Sequence, residues 1–277
     1  MLAAQRHSRI SQAVQGGGVV STVELANSLG VSAETIRRDF AELEGKGLLM
    51  RVRGGATRTD HLSSEPPFVE RFGSAGEAKA VIGSLAAELL RPGQTVVIDV
   101  GTTATHVARA LVGNFSGVVL TCSIQVANEL SEATGIEVHL SSGRMRAGDL
   151  ALSGPTTQSF FEDVYADVAF LGSGGVHAEA GLTDFYLDEC HVRRTIMRNS
   201  ATHYVLADST KLQRIAPYRV APLERVDRLI TDQQPPEELE RAITVSGGEV
   251  IRPGLPPAET GHAGARERGN GTDEERT

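Results

Sequence analysis

Ser32-Ala33-Glu34-Thr35-Ile36-Arg37-Arg38-Asp39-Phe40-Ala41-Glu42-Leu43 is the stretch on which the reading of this chain turns. Ile36, Phe40 and Leu43 recur at helical spacing and make one apolar stripe, and Ser32 stands before them as an N-cap whose hydroxyl can accept from an unpaired helical N–H. Thr35, Arg37 and Arg38 fall off the stripe near the amino end, the end that a helix-turn-helix protein pushes into the major groove. Arginine there reaches phosphate, or pairs with guanine through two parallel hydrogen bonds. An amphipathic helix with two arginines is common, so its upstream context decides. Val23, Leu25, Ala26 and Leu29 repeat at helical spacing, Gly30 supplies a tight turn and Val31 can pack back before Ser32. The expectation is a helix, a turn and a DNA-reading helix.

Working outward, Arg6 to Gln15 carries Ile10, Ala13 and Val14 on one side and reads as a supporting helix ended by Gly16-Gly17-Gly18. Downstream, Gly45-Lys46-Gly47 breaks the pattern, and Leu48 to Arg53 followed by Gly54-Gly55 reads as a strand entering a turn, the place for a wing. Arg51 and Arg53 either face the sugar-phosphate backbone or form a solvated strand face. The candidate DNA contacts are Ser32, Thr35, Arg37, Arg38, Arg51 and Arg53.

Charge is unevenly spread. Residues 1–60 hold eight Lys/Arg against six Asp/Glu, a net of +2, which leaves −10 for the rest of a 277-residue chain whose net is −8. An acidic body repels nucleic acid, so DNA contact is confined to the head and should be salt-sensitive. No window approaches the roughly 18 apolar residues of a membrane span, and the amino end does not read as a signal peptide. Cys122 and Cys190 have no metal or redox spacing and are expected to be free thiols in a reducing cytoplasm. The eight histidines are scattered, so neither a metal site nor a cofactor is expected.

The head is assigned to residues 1–58 and a linker to 59–76, where Pro66-Pro67 precedes the small apolar cluster Phe68, Val69 and Phe72. Phe68 and Phe72 are one helical turn apart and could dock on a neighbour. Over 77–252, helical and short apolar segments alternate, the habit of a parallel sheet covered by helices. Strands are expected at Thr95–Ile98, Val118–Leu120, Ile136–Leu140, Val168–Leu171, Tyr204–Leu206 and Leu229–Ile230. Helices are expected at Glu77–Leu90, Thr105–Leu111, Ile124–Leu130, Thr156–Phe161, Asp188–Arg198 and Pro236–Ala242. The fold class is therefore α/β: a winged helix-turn-helix domain followed by a doubly wound, Rossmann-like domain. Residues 253–277 are rich in Gly, Pro and charge and are expected to be disordered.

In open α/β sheets ligands bind beyond the carboxyl ends of the strands. Asp99-Val100-Gly101-Thr102-Thr103 places a glycine and two hydroxyls at a helix start, which makes either a phosphate seat or a simple cap. Thr121-Cys122-Ser123 repeats the arrangement after the next strand. Asp208-Ser209-Thr210-Lys211 adds a carboxylate suited to a sugar hydroxyl and an ammonium suited to phosphate, although a lone lysine is more often a solvated surface residue than a ligand. Gly172-Ser173-Gly174-Gly175 and Gly181-Leu182-Thr183-Asp184 form a glycine-rich rim that could admit a small polar molecule.

From Arg6 to Ala56 the sequence resembles the amino-terminal domain of the DeoR family of bacterial transcriptional regulators, through Arg6, Ile10, Val14 and the run Ser32, Thr35 to Phe40. Asp99–Thr103, Thr121–Ser123, Leu171–Gly175, Gly181–Asp184, Asp208–Lys211 and Leu229–Asp232 resemble the effector domain of the same family, in the same order. Cys122, Cys190 and Ser142 depart from its usual residues. The resemblance implies a fold like ribose-5-phosphate isomerase and, as effector, a phosphorylated sugar or related metabolite. It further implies a repressor of carbohydrate-metabolism genes that binds double-stranded operator DNA as a homo-oligomer, dimer or tetramer. The effector candidates are Asp99, Gly101, Thr102, Thr103, Thr121, Ser123, Gly172, Gly174, Thr183, Asp184, Glu189, Asp208 and Lys211. The rival reading is a sugar-phosphate isomerase or deaminase with an accessory DNA-binding head, in which Asp99, Asp184, Glu189 or Asp208 would serve as general base.

Overall fold

The computed structural model describes residues 3–15, 19–45, 48–52, 54–57 and 65–254. The chain separates into two compact units, Met1–Leu62 and Ser63–Thr277. Arg53 and the tail beyond residue 254 lie outside the described residues.

In the first unit, helices Ala3–Gln15, Thr22–Leu29 and Ala33–Gly45 enclose a core of Ile10, Val14, Leu25, Ala26, Ile36, Phe40, Leu43, Leu49 and Ala56. Gly30 closes the second helix with φ of 66°, a conformation open to glycine at little cost, and Val31 N–H donates to the Ala26 carbonyl at 3.1 Å. Strands Met50–Val52 and Gly55–Thr57 form the hairpin expected of a wing. A third strand, Val19–Ser21, pairs antiparallel with Gly55–Thr57 and was not apparent beside its glycine run. Two residues expected on the apolar face are exposed, Ala13 and Val23. Val23 is two residues from Leu25 and so lies about 200° away round the helix.

In the second unit seven strands form one wholly parallel sheet. From edge to edge they are Glu249–Ile251, Arg228–Ile230, Ser200–Leu206, Ala166–Leu171, Thr95–Ile98, Gly117–Thr121 and Ile136–Leu140. Successive side chains alternate between faces. Val96, Ile98, Val119, Val168, Phe170, Leu206 and Ile230 pack under helices Gly76–Glu88, Thr102–Leu111 and Ile124–Leu130. Val97, Leu120, Ala169, Leu171, Val205 and Leu229 face the opposite way, toward helices Pro155–Glu162, Leu187–Arg198 and Glu237–Val245. Among the described residues no helix is long and apolar enough to cross a membrane.

The part of the expected linker that is described is built into this second unit. Pro66-Pro67 starts a helix, Phe68–Gly73, and does not end one; Phe68 is buried and stacks on Phe72 at 5.7 Å, which stacks on His106 at 5.6 Å. The hairpin Arg144–Arg146 with Ala151–Ser153 and the small sheet of Gly175–His177, Gly181–Asp184 and Tyr218–Ala221 were not anticipated either. Their strands are short and mostly polar or glycine-rich, which leaves little alternation to detect.

Candidate functional site

In the head, Ser32 caps its helix: its hydroxyl accepts from Thr35 N–H at 3.1 Å and lies 2.9 Å from the Thr35 hydroxyl. Arg37 and Arg38 are exposed on the outer face. Arg37 meets Glu34 at 3.0 Å with both side chains largely exposed, a pairing weak enough to exchange for phosphate. Arg51 is also exposed, and its N–H and guanidinium both turn toward Glu44, at 2.9 and 3.9 Å.

Asp39, next to that arginine pair, points inward. Its carboxylate takes two hydrogen bonds from Arg6, at 2.5 and 2.8 Å, and a third contact from His7 at 3.0 Å, so the first helix is clamped to helix Ala33–Gly45. The Arg6 hydrogen bond, with help from His7 and against burial, holds the Asp39 carboxyl below its ordinary 3.8. A depressed carboxylate contributes stability above its unfolded value, and that contribution is lost as pH falls through the folded one. Asp39→Ala is expected to lower the head's melting temperature by roughly 5 °C at pH 7, and to shrink its loss of stability below pH 4. Circular dichroism melts at pH 7 and pH 3 check both; a variant melting with the wild type at pH 7 would remove the clamp.

The second unit's sheet supplies the other site. In chain order its strands run 3-2-1-4-5-6-7 across the sheet, and the direction of winding reverses between Thr95–Ile98 and Ala166–Leu171. A crevice opens at such a switch point, at the carboxyl ends. Asp99 and Gly172 lie just past those two strands, and Gly172 N–H donates to Asp99 Oδ2 at 2.9 Å. A Cβ on Gly172 would come within 2.6 Å of the Val100 carbonyl oxygen, so this glycine serves the approach of the two strand ends to each other. Gly174 likewise is pressed against Asp184, where a Cβ would lie 2.8 Å from that residue's Cα.

Arg193 fills the space beneath the crevice. Its side chain is 3% exposed and sits 2.5 Å from Asp99, 2.6 Å from Asp184 and 3.3 Å from Glu189, carboxylates that are themselves 2–6% exposed. Asp184 further accepts from the N–H groups of Phe185 and Tyr186. Glu189 also pairs with Arg146, yet burial, aided by Asp184 and Asp99, pushes its carboxyl up to about 8. Three of the predicted effector residues are thus brought together by an arginine that sequence reasoning did not single out.

The remaining candidates divide. Gly101, with φ of 121°, begins helix Thr102–Leu111, and neither threonine hydroxyl caps it, so the cap alternative for Thr102 and Thr103 is not what the structure contains. Thr121 accepts from Ser123 N–H at 3.0 Å, and Ser123 caps the next helix through Val126 N–H at 3.2 Å. Thr183 is an internal strut: its hydroxyl donates to the Gly175 carbonyl and accepts from Ala216 N–H. Asp208 Oδ1 accepts from the N–H and hydroxyl of Thr210, which shapes the turn carrying Lys211.

Lys211 is mostly buried, at 13% exposure, and burial pushes its ammonium down to about 8 against the pull of Glu65. Arg71, on helix Phe68–Gly73, is a further cation of this region; it contacts Glu65 at 3.0 Å and Asp149 at 3.1 Å. Arg146 continues the chain of charges from Asp149 and lies over the Tyr186 ring, 3.5 Å from its centroid. A cleft of about 440 Å³ adjoins it, lined in part by Arg144, Arg146, Tyr186 and Tyr218.

Comparison with known proteins places both units. Residues 6–61 match the DeoR-like helix-turn-helix domain, and residues 74–233 match the DeoR C-terminal sensor domain. The HTH-type transcriptional repressor CsqR of Escherichia coli K12 is 32% identical over 90% of this chain and 95% of its own. The glycerol-3-phosphate regulon repressor of the same strain is 32% identical over 87% of this chain and 95% of its own. Among solved structures, ribose 5-phosphate isomerase A from Methanocaldococcus jannaschii aligns with 50% of this chain and 55% of its own, at 16% identity and a TM-score of 0.37.

Proposed function

This chain belongs to the DeoR family of helix-turn-helix transcriptional regulators, and from that premise we propose that it represses carbohydrate-metabolism genes until a phosphorylated sugar or sugar-like metabolite binds its second unit. A switch-point crevice with two threonines at a helix start that has no side-chain cap, together with the mostly buried ammonium of Lys211, supports this most directly. Free helical N–H groups, hydroxyls and a cation suit a phosphate, and a carboxylate such as that of Asp208 suits a sugar hydroxyl. Of the four carboxylates an isomerase could use as base, Asp99, Asp184 and Glu189 are engaged with Arg193, and Asp208 accepts from the N–H and hydroxyl of Thr210. We further infer a homo-oligomer in the cytoplasm, acting on repeated half-sites, because a head whose first 60 residues net only +2 holds a single site weakly at cellular salt.

By linkage, an effector that weakens operator binding is itself bound more weakly by the operator complex, with a coupling of about 1–3 kcal/mol. Lys211→Ala should therefore bind operator as the wild type does, yet need at least about tenfold more effector to release it. The same ammonium gives a pH signature. With its value near 8, Lys211 loses its proton between pH 7 and 9.5 while the phosphate stays dianionic, so the wild type's half-release concentration should climb across that range. Lys211→Arg should stay flat. The measurement titrates glycerol 3-phosphate and other sugar phosphates into a complex with operator selected by the protein from random DNA, with unphosphorylated sugars as controls. A free sugar that works as well as its phosphate would overturn the phosphate seat.

A further inference from the structure

Glu65 is the first described residue after the head, and its carboxylate is buried. Its side chain is 8% exposed, with Oε1 3.0 Å from Arg71 Nη1 and 3.9 Å from Lys211 Nζ. The two cations come from different elements: Arg71 from helix Phe68–Gly73, Lys211 from the turn that follows strand Ser200–Leu206. Arg71 is locked in place, its Nε donating to the Pro66 carbonyl at 2.8 Å and its Nη2 to Asp149 at 3.1 Å. A preset guanidinium and a partly desolvated ammonium converging on one carboxylate are the parts of an anion-binding site.

We propose that Arg71 and Lys211 form the effector's anion seat, that Glu65 occupies this seat in the free protein, and that the effector's phosphate binds by displacing it. This rests on the reading of the second unit as a sensor of a phosphorylated metabolite and names Arg71, which no motif assigned, as a ligand. A phosphate dianion carries more charge than a carboxylate and offers three oxygens to the same two donors, so it can compete with a tethered glutamate. The glutamate's burial works in the ligand's favour. Two neighbouring cations still leave the Glu65 carboxyl above its ordinary 4.5, because loss of water outweighs them, and release into solvent removes that cost. Glu65 also stands directly before Pro66-Pro67, on the side from which the chain arrives from the head. Displacing it alters the chain at the point where the two units are joined in sequence, and a small ligand thereby acquires a differential contact with two states.

The test uses the full-length chain free of DNA, with inorganic phosphate as the probe and titration calorimetry as the readout. Glu65→Gln removes the occupant's charge and keeps its shape, and should bind phosphate about tenfold more tightly than the wild type. Arg71→Gln should bind it about tenfold more weakly. Unchanged or weaker binding by a folded Glu65→Gln overturns the proposal, as does an Arg71→Gln that binds like the wild type. Should either variant fold poorly, the wild type alone suffices: phosphate should speed amide exchange in the peptide spanning Glu65 to Phe72, and unaltered exchange at saturation counts against displacement. The outcomes separate from those for the regulator reading. Tighter phosphate binding in Glu65→Gln with no sugar phosphate able to release operator keeps the seat and removes the switch. Release by sugar phosphates with indifferent Glu65 and Arg71 variants does the reverse.

Discussion

Arg193→Leu is expected to unfold the second unit well below the wild type's melting temperature while leaving the head intact. The substitution takes away the guanidinium shared by Asp99, Asp184 and Glu189 and leaves three carboxylates at 2–6% exposure. Removing one partner of a buried charge pair costs about 3–5 kcal/mol, a large share of the 5–15 kcal/mol that typically holds a domain together. The pH dependence identifies the cause. A carboxyl whose folded value is raised favours folding below its unfolded value, and that contribution is lost as pH rises through the folded one. Glu189, held at about 8, already gives the wild type some gain in stability as pH falls from 8 toward 4.5. Without Arg193 the Glu189 carboxyl loses the main charge that opposes the effect of its burial, so the variant should recover more steeply over the same window. Thermal melts at several pH values decide the matter, and a variant with the wild type's midpoint and slope would show that Arg193 is dispensable.

The second large effect is on DNA. Arg37→Ala with Arg38→Ala should keep the fold, since both side chains are exposed and the apolar stripe of Ile36, Phe40 and Leu43 is untouched. Loss of each base contact costs about 1–3 kcal/mol and relaxes specificity at one position; loss of a phosphate contact weakens all sequences alike and lowers the salt slope by about one. For the pair, a fall in operator affinity of roughly a hundredfold or more is expected, because two exposed cations at the amino end of this helix are removed together. Operator titrations at several salt concentrations separate the two kinds of contact. Wild-type affinity in the double variant would take this helix out of the groove.

The parallel sheet was readable because most of its strands are short apolar runs such as Thr95–Ile98; that strand and the alternating Ile136–Leu140 have the same limits in the structure as in the sequence. Turns at strand ends are found by position alone, so Asp99, Thr102 and Lys211 could be named. Arg193 could not. It stands beside Arg194 in one helix with the same local composition, and only the fold turns one toward three carboxylates and the other toward the Val220 carbonyl at 3.0 Å. Glu65 and Arg71 were hidden for a different reason. A Pro-Pro pair among small polar residues reads as a linker, and what makes it a packed element is Phe68 and Phe72 finding His106 far along the chain. Thr183 shows a role that position did not suggest, a hydroxyl that holds two backbone segments together.

The order of strands in the sheet bears on the protein's synthesis. Strand Thr95–Ile98 is the first of the seven to be made, yet it lies against the fourth, and the crevice beside it needs Asp99 to meet Gly172 and Arg193, 73 and 94 residues later. Such distant pairings form late. The head's strands, by contrast, pair within its own unit, Val19 with Thr57 and Arg51 with Ala56. At about 5–20 residues per second, a ribosome takes on the order of ten to forty seconds to travel from the end of the head to the last sheet strand. During that interval a nascent chain can own a folded DNA-reading helix before it owns anything able to sense a metabolite.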